Sequence, residues 1–249
     1  MTSTISNRDH SLMTIYNLYL ESGPKKKKTM VHAIDLLGCV ATGPTTDDAL
    51  AATPTAIAQF RRFLHRHGDE IDLDAPIETR LVQHITEGQW LGNGSPYVIL
   101  ETDYVHLSDK DADRYVIQLE WMSDDLAAWA ETQTDAELDA KPDGRTARAI
   151  LLHVIGAQGA FLSAALSGAP GFGKIHGAAE RGELPLPAAI QESAALYRER
   201  IALTTPEQRN AIRELSSRQY NLRKALRRTL EHAWEHLAEL SRRSGGPEL

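Results

Sequence analysis

The sequence predicts an α+β protein: a small β-sheet with a helix across it over residues 1–108, then a bundle of four main helices over residues 109–249. Three observations predict this. Before Ser108, apolar residues come in short β-branched and aromatic runs separated by Gly and Pro. After Ser108 they recur at helical spacing in long runs bounded by capping residues. Three histidines of the second part, His153, His232 and His236, occupy positions from which two helices can converge on one point.

Residues 1–10 are polar and read as a loose terminus. Thr14 to Leu20 is the first strand candidate, and Gly23-Pro24 with Lys25 to Lys28 the tip of a hairpin. Lysines at such a place solvate a sheet edge more often than they bind phosphate. Residues 30–35 and 38–43 are the next two strands. Thr45 caps a helix with Asp47 and Asp48 in its first turn, where carboxylates favour the N-terminus. The helix runs to His67 and stops at Gly68. Pro54 should kink or restart it, with Thr53 as a second cap. Residues 69–77 are acidic and irregular, and residues 78–85 and 97–106 supply further strands around a Gly92-to-Pro96 turn.

Ser108 caps the first bundle helix, expected over residues 109–132. A loop through Lys141-Pro142-Asp143-Gly144 leads to a second helix over 146–166. Residues 167–187 hold too many breakers for one regular element. A third helix takes 188–203, Thr205-Pro206 opens another stretch, and the last helix covers 218–243 before Gly245-Gly246-Pro247.

Composition narrows the function classes. The net charge is −7, and both parts are acidic: nine basic against thirteen acidic residues in 1–108, eighteen against twenty-one in the rest. Bulk charge gives no reason to expect nucleic-acid binding. No uninterrupted apolar run of the ~18–20 residues needed to span a bilayer occurs, so no membrane is expected. Residues 1–10 lack the apolar core of a secretory signal. Cys39 is the one cysteine, so no disulfide forms within the chain. A cytoplasmic location is the expectation.

The second bundle helix is apolar nearly all round and should bury His153. Ala149, Gly156 and Ala157 leave room beside its ring. The last helix carries His232 and His236 one turn apart on one flank of the stripe Leu222, Leu226, Leu230, Ala233, Leu237, Leu240. That spacing lets two imidazoles share an ion. Each feature alone also fits packed or solvated histidines. Together they offer three nitrogen ligands and leave a coordination position for chemistry. Glu231 and Glu235 look solvent-facing. Gln158 is off the His153 face. The other histidines, among them His32, His65, His67 and His84, read as structural.

The run Gly144 to Val154 resembles the second helix of the DinB superfamily, Leu226 to His236 its last helix, and Leu119-Glu120-Trp121 with Asp124-Asp125-Leu126 its first. The resemblance covers about residues 109–243. It implies an up-down-down-up bundle, frequent homodimerisation, and a divalent metal (zinc or nickel, or iron) on His153, His232 and His236. Relatives include transferases and isomerases that use low-molecular-weight thiols such as bacillithiol or mycothiol. Those relatives often carry an acid and bulky aromatics soon after the second-helix histidine; here that place holds Gln158, Gly159 and Ala160, with Phe161 the one aromatic. His32 to Gly43, followed by Thr45 and Asp48-Ala49-Leu50, is similar to HicB-like domains, a small sheet with a helix across one face, with Leu37 where a proline usually stands. That likeness implies a recognition module.

The resulting expectation is a DinB-like protein that binds a divalent metal, with metal-dependent, thiol-dependent transferase or hydrolase chemistry on a small-molecule substrate. The catalytic residues are not legible, though Glu235 and Gln158 are near enough to be general-base candidates. The alternative is a non-catalytic scaffold that recognises a protein through its sheet domain.

Overall fold

The computed structural model describes residues 14–141 and 144–249. The expected terminus at 1–10 and the Pro142-Asp143 part of the expected loop lie outside the described residues.

The first unit has strands β1 (Ile15–Ser22), β2 (Lys27–Ala33) and β3 (Val40–Thr45), helix α1 (Thr46–Arg66) and strand β4 (Glu78–Ile85). The sheet order is β3-β2-β1-β4. The first three strands pair antiparallel, and β4 joins β1 in parallel at the edge. The lysines cover a 3-10 turn, Pro24–Lys26, and the start of β2. Thr45 caps α1 as expected, its hydroxyl accepting from the Asp48 amide at 3.1 Å. Pro54 does not restart the helix. Thr53 is buried and donates to the Ala49 carbonyl at 2.8 Å, an intrahelical bond rather than a cap. The helix is continuous across Pro54, with Ala49 and Ile57 on either side of it fully buried. The tight entry into α1 needs glycine at 43, where a Cβ would stand 2.3 Å from the Ala49 nitrogen.

Residues 97–106 do not form the expected strand. They hold a short 3-10 turn, Glu101–Tyr104, in otherwise irregular chain. Asp103 causes the turn: its carboxylate accepts from the Leu100 amide at 2.8 Å and binds Arg227, so the chain folds inward instead of pairing along the sheet. Val98 and Leu100 then pack with Tyr19 and Leu91 in a small cluster of their own.

The second unit has α2 (Asp109–Glu131), α3 (Asp135–Asp139), α4 (Ala147–Leu166), α5 (Phe172–Glu180), α6 (Leu186–Ala202), α7 (Pro206–Asn210), a hairpin of β5 (Arg213–Leu215) and β6 (Arg218–Tyr220), and α8 (Leu222–Ser241). Ser108, Thr146 and Asn221 cap α2, α4 and α8 through their side chains. The start of the last expected helix is therefore corrected: residues 218–220 are a strand, and Asn221 opens the helix. Helices α2, α4, α6 and α8 form the bundle, with α2 against α6 and α8, and α4 against α8 and α6. Side-chain pairs set the directions. Asp111 meets Arg223 at the starts of α2 and α8, and the Trp129 indole meets the Gly245 carbonyl at their ends, so these helices run parallel. Arg145 before α4 meets Glu239 late in α8, and Arg209 beyond α6 meets Asp109 at the start of α2. Hence α4 and α6 run the other way, which is the up-down-down-up order. Helix α4 reaches the length and mean hydropathy, 1.8, of a membrane span. Here it packs against α5, α6 and α8.

Residues directly paired across strands share a sheet face. Leu18, Leu20, Val31 and Ala33 lie on one face; Tyr19, Glu21, Met30 and His32 lie on the other. The Gly43–Ala49 approach seats α1 on the first face. Helix α8 touches the second through Glu231 on His32 and Arg228 on the Met30 sulfur. Phe60 and Phe63 of α1 pack on Trp234 of α8, ring centres 4.7 and 5.3 Å away. One continuous apolar cluster therefore runs from the sheet unit through the bundle.

Candidate metal centre

The expected triad converges. One nitrogen from each of His153, His232 and His236 lies within 4.8 Å of the others. The rings of His232 and His236 are 4.5 Å apart, as one-turn spacing on α8 dictates, and His153 on antiparallel α4 stands 4.6 and 5.2 Å from them. The Nε2 atoms of His153 and His232 are 2.9 Å apart.

The His153 environment needs correcting. His236 is buried and His232 half-buried, but His153 is exposed. The apolar wrap of α4 is incomplete on that side, where it meets the end of α8 near the surface. The triad is thus reachable from solvent.

Electrostatics favour the neutral, ligating form of each imidazole. Burial pushes His232 well below its ordinary value of 6.5, and His236, Arg228, His153 and Arg145 push the same way. Burial and Arg145 lower His153. Burial also holds His236 down, against the upward pull of Glu239. That carboxylate is 2.7 Å from His236 Nδ1, which leaves Nε2 as the free ligand atom. A carboxylate behind a ligating histidine fixes its tautomer and orientation. Glu239 is in turn held by Arg145 and Arg243.

Several side chains are placed differently from expectation. Glu231 is buried, not solvent-facing. Its oxygens accept from Arg227, from Arg228 at 2.6 Å and from His32 at 2.8 Å. Burial works to raise its pKa, and Arg227, His32 and Arg228 overcome that and hold it far below the carboxylate range. Arg227 also grips Asp103 with two bonds of 2.7 Å. Glu235, next to His236 in the chain, is half-buried, and burial raises its pKa against the pull of Arg228. Gln158 is buried away from it, accepting from Ser193 at 2.5 Å, and so drops out as a base. The buried His32–Glu231–Arg227–Asp103 network was missed because its members are up to 199 residues apart.

No family model matches the chain, and no curated protein matches it. Among solved structures it is similar to YfiT from Bacillus subtilis, described as a probable metal-dependent hydrolase with an unusual four-helix bundle topology. The identity is 20% and the TM-score 0.42, over 59% of this chain and 92% of that one.

Proposed function

We propose that this protein is a DinB-like metalloprotein that holds a divalent ion on His153, His232 and His236 and performs hydrolase or thiol-dependent transferase chemistry on a small molecule. The observation that carries this is the meeting of three imidazoles from two antiparallel helices at a solvent-reachable place. The donor set passes a simple fit test. Nitrogen ligands about 2.0–2.1 Å from a tetrahedral ion stand roughly 3.3 Å apart, a value between the 2.9 Å of the His153–His232 pair and the 4.8 Å limit of the triad. An all-imidazole set suits zinc or nickel, and iron as a third choice.

When bound, such an ion supplies Lewis acidity to a water, a thiol or a carbonyl oxygen. The chain does the rest. Glu239 holds His236 with Nε2 forward. Arg145 and Arg243 keep Glu239 in place. Glu235, half-buried and next to His236 in the chain, is the acid–base candidate at the site. The sheet unit, read as HicB-like, supplies recognition, and homodimerisation and a thiol cosubstrate belong to the same proposal.

The test is a reaction screen of zinc- and nickel-loaded full-length chain against small esters, amides and electrophiles, with and without a thiol. His232→Ala is run in parallel. Metal-dependent turnover absent from the variant supports an enzyme. Stoichiometric metal without turnover across the panel moves the reading to a metal-stabilised scaffold.

A further inference from the structure

A cleft of about 530 Å³ reaches one member of the triad, His236, between α8, strand β3 and the middle of α1; His153 and His232 do not line it. That volume lies in the range of small-molecule sites. Its bundle wall is Arg145, already paired with Glu239, together with Glu235, Ala238, Glu239 and Arg242, the last four spaced so that they share one face of α8, with His236 beside them. Ala238 leaves the middle of that wall low. The opposite wall is Thr42 of β3 with Thr55 and Gln59 of α1, all from the sheet unit.

The charges facing this cleft are not equally spent. Glu239 already serves His236, Arg145 and Arg243. Arg242 is exposed and pairs with no carboxylate of the described residues. It lies six residues beyond His236, about 9 Å along the helix axis at 1.5 Å per residue. A guanidinium at that distance from the reacting end suits a remote anchor, which lets binding energy serve a reaction elsewhere on the ligand. The hydroxyls of Thr42 and Thr55 and the amide of Gln59 can bond a polar chain lying between the two ends.

We infer that this cleft binds a small molecule through a terminal anionic group, carboxylate or phosphate, held by Arg242, with the sheet unit as its second wall. The inference rests on the metal-site reading for what happens at the His236 end, and it assigns the first unit a direct part in ligand selection.

The experiment follows the Gln59 side-chain amide by NMR in the full-length chain, once stripped of metal by chelation and once loaded with zinc. Hexanoate, hexyl phosphate and neutral hexanamide are titrated in. The anions should bind about fivefold more tightly than the amide, the upper end for an exposed ion pair, and should shift the Gln59 signal. Arg242→Gln should bring all three within about twofold, with the thermal midpoint unchanged because the side chain is exposed. The tighter of the two anions names the group recognised. Equal binding of hexanoate and hexanamide, an anion preference that survives Arg242→Gln, or a Gln59 signal that stays still would overturn the inference. The metal-stripped titration keeps this outcome separate from that of the metal site.

Discussion

Helix α8 carries two polar flanks that look alike in the sequence and differ in everything else. One bears His232 and His236. The other bears Arg227, Arg228 and Glu231. On the first, the imidazoles stand close together, burial disfavours their protonation, and His153 opens the group to solvent. On the second, every charge is buried and answered: Glu231 by His32, Arg227 and Arg228, and Arg227 by Asp103 as well. Polarity on a helix face therefore does not identify a site. The state of pairing does. An ionic network ties the sheet unit to the bundle, while the histidine flank gathers three imidazoles that could serve as ligands.

The largest effect should come from breaking the closed flank. Glu231→Ala leaves two arginines and His32 without their shared carboxylate, and removing one partner of a buried pair costs about 3–5 kcal/mol. Urea unfolding should register most of that as a lower midpoint. A change under about 1 kcal/mol would mean that the network is solvated in solution. Next comes Glu239→Gln, which loosens the orientation of His236 without removing a ligand. Metal affinity should fall about 10- to 100-fold, the usual cost of losing a carboxylate behind a ligating histidine, as read by chelator competition. An unchanged affinity would show that Glu239 is only a surface ion-pair partner.

A smaller effect concerns pH. The three site histidines have lowered folded-state values. The unfolded chain therefore binds protons first as pH falls below the ordinary imidazole value of 6.5. The metal-free protein should be at full stability above that pH and lose stability as pH drops towards the depressed folded values. His232→Ala should flatten this slope. The smallest effect belongs to Arg148, whose pairs with Asp135 and Asp139 are exposed. Arg148→Ala should cost under about 1 kcal/mol; a larger loss would assign α3 a structural role beyond its own turn.

Local signals were legible and long-range ones were not. The caps Thr45 and Ser108 announce α1 and α2 because capping is written within four residues. Strand β4 was legible from its own composition, and the histidine triad from i, i+4 spacing plus one polar residue on an apolar helix. The failures have a common physical cause. Residues 97–106 carry a strand-like composition, but Asp103 answers to Arg227, 124 residues away, and that contact turns the chain. Glu231 looks like a solvent-facing residue of a bundle helix until the sheet is laid on that flank. His153 seems buried because α4 is apolar throughout, yet the helix meets the surface where His153 sits. Short elements such as α3, α5 and the β5–β6 hairpin fall below the length at which periodicity speaks.

On the proposed reading, the histidine flank of α8 holds a metal together with His153. The most direct measurement is metal content by plasma mass spectrometry on untagged protein, comparing wild type with His236→Ala. Close to one divalent ion per chain is expected in the wild type, retained on dialysis, and near none in the variant, with the variant still folded by circular dichroism. A wild type that carries no metal and takes up neither zinc nor nickel would contradict it, as would a variant that keeps its metal.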